Sequence, residues 1–241
     1  VIIVSVSFKT KENTYMKDFL STLTILILLV FSNSSYAAEE IPLDLKSFHE
    51  INFDGIKKTK YQFSKNTLEM TVNKSSSALV LPLKKITTLE RVSFLWKTKG
   101  QIKTKSAKHE TTKSGDDFPL RIGLCISGKA PMVPFFAPAW IKKIKNILFH
   151  PSDHMEYLIA GSKHQPLSSW KSPYSSSMRY IALPNKLQSD GWNLVDHKFK
   201  KEIIITALWV MADGDNTKST FTTYLKNLFI TKKAIVSPKN K

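Results

Sequence analysis

Residues 203–211 (IIITALWVM) are apolar at both parities. Ile203, Ile205, Ala207, Trp209 and Met211 alternate with Ile204, Thr206, Leu208 and Val210, so a strand here has no face suited to water. Such a strand must lie inside a sheet that is covered on both sides. The chain around it has the same character. Short apolar or alternating runs recur at 60–63, 67–73, 78–82, 91–98, 118–127, 157–160, 178–183 and 224–230, separated by turn residues. Within 116–127 the alternation predicts Phe118, Leu120, Ile122, Leu124 and Ile126 on a core face. Asp117, Pro119, Arg121, Gly123 and Cys125 fall on the other.

Helical spacing is confined to two places. Residues 44–51 predict a short N-terminal helix. Residues 140–149 (WIKKIKNILF) set Trp140, Ile141, Ile144, Ile147 and Leu148 along one stripe, with Lys142, Lys143 and Lys145 largely opposite. Pro138 before it and Pro151 after it make this an excursion between strands. The expected fold is therefore all-β: a two-layer, jelly-roll-like β-sandwich of the galactose-binding or lectin-like kind, with one short inserted amphipathic helix.

The chain's start reads as an address. From Met16, Lys17 gives a basic beginning and residues 19–31 (FLSTLTILILLVF) an apolar run, short for the roughly 20 residues that span a bilayer. Ser35-Tyr36-Ala37 fits a small-x-small cleavage site, with cleavage after Ala37. The expected organisation is a signal peptide over 16–37, one sandwich domain over 38–236 and a flexible tail over 237–241. Residues 1–15 resemble neither a leader nor a domain and are expected to lie upstream of the true start. The expected location is the periplasm or the exterior.

The formal charge is +17, from 36 basic and 19 acidic residues. Only Arg91, Arg121 and Arg179 among the basic residues are arginine. Readers of phosphates and bases favour the planar arginine fork, so scattered lysine disfavours a nucleic-acid function. It favours anionic surfaces, in a salt-dependent way. Cys125 is the single cysteine and excludes an internal disulfide. It sits in an apolar run and reads as a small core residue.

Several short elements resemble one exported bacterial family. They are Ser77-Ala78-Leu79, Trp96, Gly115-Asp116-Asp117-Phe118-Pro119-Leu120-Arg121, Ser172-Pro173-Tyr174, Gly191-Trp192 and Ala212-Asp213-Gly214-Asp215-Asn216-Thr217. In this order, over residues 55–230, they resemble the domain-of-unknown-function family 3047. The resemblance implies a secreted or periplasmic β-sandwich and assigns no activity. Residues 131–153 depart from it in being longer and more basic.

The polar residues give a short set of sites. Asp213, Asp215 and Asn216 form the densest oxygen cluster, of the kind that supplies calcium ligands, without the spacing of an EF-hand. An Asx-type turn around Gly214 accounts for the same residues. Asp116, Asp117 and Arg121 read either as a site formed with that loop, with Asp117 and Arg121 as ligand contacts, or as a register-fixing ion pair. Trp170 and Tyr174 lie in a polar loop, where amphipathic rings suit sugar faces. The helix at 140–149 either rests on its own domain or makes peripheral contact with an anionic membrane. No phosphate-cradling loop or nucleophile elbow is present.

The leading expectation is a non-catalytic module that binds a glycan or another anionic envelope component. The alternative is a polysaccharide hydrolase or lyase that uses Asp117, Asp213 and Asp215. Catalysis, ligand identity and oligomeric state stay open at this level.

Overall fold

The computed structural model describes residues 36–129 and 137–233, which belong to one compact unit. The expected upstream residues, almost all of the signal segment and the C-terminal tail lie outside these residues. Twelve strands form a single mixed sheet. They are β1 (Tyr36–Glu40), β2 (His49–Asn52), β3 (Lys60–Ser64), β4 (Thr67–Asn73), β5 (Ser77–Gln101), β6 (Leu120–Ser127), β7 (Ser152–Ala160), β8 (Ser169–Lys171), β9 (Met178–Ala182), β10 (Lys186–Leu187), β11 (Asn193–Met211) and β12 (Thr220–Lys233). The main path runs β3-β4-β12-β5-β11-β6-β7-β9-β8, with β1 on β12, β2 on β5 and β10 on β11. Every pair is antiparallel except β7–β9.

The sandwich is one sheet folded over, because β5 and β11 are long enough to run through both layers. They pair with each other from Asn193↔Trp96 to Val210↔Leu79, with irregularities between Lys198 and Ile203 and between Ile205 and Ala207. Bulges and bends of this kind let a strand pass from one layer to the next. The larger hydrophobic cluster lies between the layers. It joins Leu68, Met70 and Val72 of β4 to Leu120, Ile122 and Leu124 of β6. Thr223 of β12 also donates across the layers to the Pro119 carbonyl at 2.7 Å.

β11 is central, as its composition requires, but its register departs from simple alternation. The irregularity at Thr206 moves Ile205 into the same cluster as Leu208 and Val210, leaving Ala207, Trp209 and Met211 on the opposite face. Phe118 also changes side. β6 begins only at Leu120, after Pro119, so Phe118 packs with Cys125 rather than with Leu120. Both faces of β6 are buried.

Residues 44–51 are not helical. Asp44 Oδ1 accepts the backbone N–H groups of Lys46 and Ser47, each at 2.8 Å, and this turn feeds directly into β2. The expected basic helix forms over Ala139–Ile147, between β6 and β7. Trp140, Ile144, Ile147 and Leu148 are partly buried against the second cluster. Phe53 meets Trp140 edge to face, and Lys143 Nζ donates to the Glu50 carbonyl at 2.7 Å. Among the described residues, no helix is long and apolar enough to cross a membrane.

Candidate functional site: an arginine-centred carboxylate cluster under a cavity

The second hydrophobic face belongs to four neighbouring strands, β11, β6, β7 and β9. Register sets Trp209, Gly123, Tyr157 and Tyr180 in one cross-strand row. The Tyr157 ring stands edge to face with Tyr180 (5.6 Å) and with Trp209 (6.5 Å). Gly123 makes this row possible. A Cβ there would lie 2.7 Å from Tyr157 Cε1 and 2.8 Å from Trp209 Cβ.

Over this face lies a cavity of about 530 Å3, within the range of small-molecule sites. Cys125, Met155 and Met178 floor one end, and Trp140, Ile144 and Leu148 of the basic helix wall it. The other end is polar and carries Asp116, Arg121, Ser172, Asp213, Asp215 and Asn216, with the exposed Tyr174 at its margin.

Arg121 organises the polar end. β6 delivers it with its side chain almost wholly buried. Its Nε and Nη2 donate to the two oxygens of Asp213. Nη1 donates to Asp116 Oδ1 (3.3 Å) and to the Tyr180 hydroxyl (3.0 Å), and Nη2 also reaches the Asp116 carbonyl (2.7 Å). All five guanidinium donors are thereby engaged. The rings of Phe118, Tyr157 and Tyr180 surround the same guanidinium. Tyr180 Oη is also within hydrogen-bond reach of Asp116 Oδ2 and Ser172 Oγ.

Asp117 does a different job. Its oxygens accept the backbone N–H groups of Asn216 and Thr217, the Asn216 side-chain amide and the Thr217 hydroxyl. It is buried and does not line the cavity. It ties the 213–217 loop to the start of β6, while Asp213 Oδ1 returns the link by accepting Phe118 N–H. The two acidic motifs, about a hundred residues apart, therefore meet.

The electrostatics follow from burial. Desolvation pushes Asp213 well above the ordinary carboxylate range, against the pull of Arg121. Asp116 moves up for the same reason, opposed by Arg121 and Tyr180. Asp215 also moves up, through burial and the neighbouring Asp117. Burial works against the charge of Arg121, but Asp116 and Asp213 outweigh it and hold the guanidinium well above its usual value. One cation among several carboxylates leaves the cluster disposed to keep a proton. The Tyr180 hydroxyl is pushed up to about 12, as is the thiol of the buried Cys125, which is thus a poor nucleophile.

Carboxylate oxygens of Asp117, Asp213 and Asp215 lie within 4.8 Å of one another. Calcium takes six to eight oxygens. Here both Asp213 oxygens face Arg121, and Asn216 Oδ1 accepts from Tyr174 Oη at 2.7 Å. The Arg121 guanidinium thus already takes the Asp213 oxygens that a cation would use. Trp170 lies off the cavity, in β8, where it stacks on His164 with centroids 4.0 Å apart and packs edge-on against Tyr180. Tyr174 does line the cavity.

Tyr180, Tyr157 and Trp209 were not distinguishable in sequence as site residues. Each looks like an ordinary strand aromatic, and only the register around Gly123 reveals the row. Ser172 lies in the Ser172-Pro173-Tyr174 element, which supplied a signal without a role.

Fold and site together define an all-β sandwich with an arginine-centred acidic cluster at one end of an aromatic cavity. Over residues 46–229 the chain matches the family model described as protein of unknown function (DUF3047), and it belongs to that family. No curated protein matches it.

Proposed function

We propose that this is an exported envelope protein whose cavity binds a neutral, hydroxyl-rich glycan. The observation that carries this reading is the pairing of an aromatic wall with convergent hydrogen-bonding groups in one cavity: Tyr157, Tyr180 and Trp209 beside Ser172, Asp215 and Asn216. Aromatic faces cover the apolar face of a sugar, and carboxylates and amides take its hydroxyls. Charge narrows the ligand further. The polar end sets three carboxyl groups, Asp116, Asp213 and Asp215, against the single, fully engaged Arg121, so an anion would meet repulsion there. The anionic envelope component belongs elsewhere on the molecule.

A second reading rests on Asp116 and Asp215, two cavity-lining carboxyls whose pKa values are both raised, the property expected of a general acid. It makes the protein a polysaccharide hydrolase or lyase. Of the carboxylates expected for that chemistry, Asp213 and Asp215 line the cavity and Asp117 does not.

An array of neutral and acidic envelope oligosaccharides, probed with the purified protein at low salt, tests the proposal. Retention of neutral oligosaccharides, lost in Tyr174→Ala and Asp215→Ala at unchanged melting temperature, is expected. No retention, or equal retention by both variants, overturns it. Shortened products in mass spectra of the incubated oligosaccharides would instead establish the enzymatic reading.

A further inference from the structure

The outer face of β3, β4, β12 and β5 points away from both hydrophobic clusters and is rich in unpaired cations. Strand register builds it row by row. Lys60, Thr71, Thr222 and Lys99 form one row, and Gln62, Glu69, Tyr224 and Lys97 the next. Thr67, Lys226, Leu95, Leu194 and Lys186 form a third. Neighbouring strands are about 4.8 Å apart and successive rows about 7 Å, so the lysines are spread over a broad face.

Trp192 organises its centre. Lys97 Nζ lies 4.4 Å and Lys226 Nζ 4.2 Å from the centroid of its indole ring. Lys97 and Lys99 also approach the Tyr224 ring, at 5.5 and 5.7 Å. The rings hold these ammonium groups where a carboxylate would ordinarily do so. Among the described residues, Lys97, Lys99 and Lys226 form no ion pair. Glu69 is the single carboxylate in the three rows, and Asp190 beside Trp192 turns back to accept the Trp192 N–H. Like charges gathered in this way are relieved by an anionic partner.

We propose that this face docks an anionic polysaccharide. Threonine hydroxyls and the Gln62 amide between the lysines offer hydrogen bonds to sugar hydroxyls. Nucleic acid fits less well, because the three rows hold no arginine and their central ring, Trp192, is largely buried beneath lysines. A bilayer also fits less well, because none of the large exposed apolar side chains lies in these rows. The site is separate from the cavity and does not depend on the reading given to it.

The test uses the purified full chain with dextran sulfate as the probe, neutral dextran as its control, and anionic phospholipid vesicles and single-stranded DNA as competing partners. Dextran sulfate should bind in a salt-sensitive way and neutral dextran should not. Lys97→Gln/Lys226→Gln should weaken binding about tenfold or more, the scale of losing two charge-assisted contacts. The charge-matched Lys200→Gln/Lys201→Gln, at exposed positions of β11, should change it less than about threefold. Lys97→Arg/Lys226→Arg should keep it, which separates lost charge from lost folding. Asp215→Ala, a cavity change, should leave it unaltered. Equal weakening by the two glutamine pairs overturns the proposal, as does a Lys97/Lys226 effect confined to vesicles or DNA.

Discussion

Arg121 donates to both carboxylate oxygens of Asp213, a residue 92 positions further along the chain. This contact joins the start of β6 to the end of β11 and sets the polar end of the cavity. Removing the guanidinium leaves Asp116 and Asp213 buried without their cation. Arg121→Met should therefore cost about 3–5 kcal/mol in urea unfolding. Arg121→Lys should recover only part of that loss, since an ammonium cannot reproduce the fork. A loss below about 1 kcal/mol for Arg121→Met would mean that the carboxyls are already neutral.

The pH dependence of stability reports the same cluster from the carboxyl side. Burial raises Asp116 above its ordinary value of 3.8 in the folded state. The folded protein thus holds that proton more tightly than the unfolded chain does. The stability this group contributes is fully present below its unfolded pKa and is lost as pH rises through the folded one. Referenced to Asp116→Asn, the unfolding free energy of the native protein should fall as pH is raised above about 4. Denaturant titrations of both proteins across the acid range measure the slope. A rise with pH would mean that Arg121 dominates and Asp116 is ionised throughout.

Asp117 accepts four hydrogen bonds from the 213–217 loop and its own side chain is buried. An amide in its place turns one acceptor into a donor facing other donors. Asp117→Asn should cost about 1–3 kcal/mol for each buried group left unpaired. Glycan retention should persist at temperatures where the variant is folded. Loss of retention without loss of stability would bring Asp117 into the ligand site.

Calcium offers a direct check on the three neighbouring carboxylates. With Arg121 supplying the charge, the melting temperature should differ by less than about 1 °C between chelator and millimolar calcium. A rise that grows with calcium concentration would show that the folded state binds the ion.

Much of this fold was legible because β11 is apolar on both faces, which dictates a covered central strand. Its detail was not, because one irregularity at Thr206 reverses which residues share a face. Phe118 was misplaced for a related reason: alternation was extended through Pro119 into a segment that is not yet strand. β5 and β11 read as shorter strands because Lys84, Lys85 and the 198–202 stretch interrupt the hydrophobic pattern where the strands bend. At the site, the acidic motifs and Arg121 stood out by composition. Tyr180 did not, since its role depends on strands that meet only in the folded sheet.

β12, the last strand of the described chain, lies in the interior of the sheet, between β4 and β5. Until it has been synthesised, β3 and β4 have no edge on which to dock, and one flank of β5 lacks most of its partner. Closure of the larger core must wait for β12, which makes folding slow and non-local. Until then the flanks of β4 and β5 stay unpaired, and these are the edges along which two copies of the chain would join wrongly.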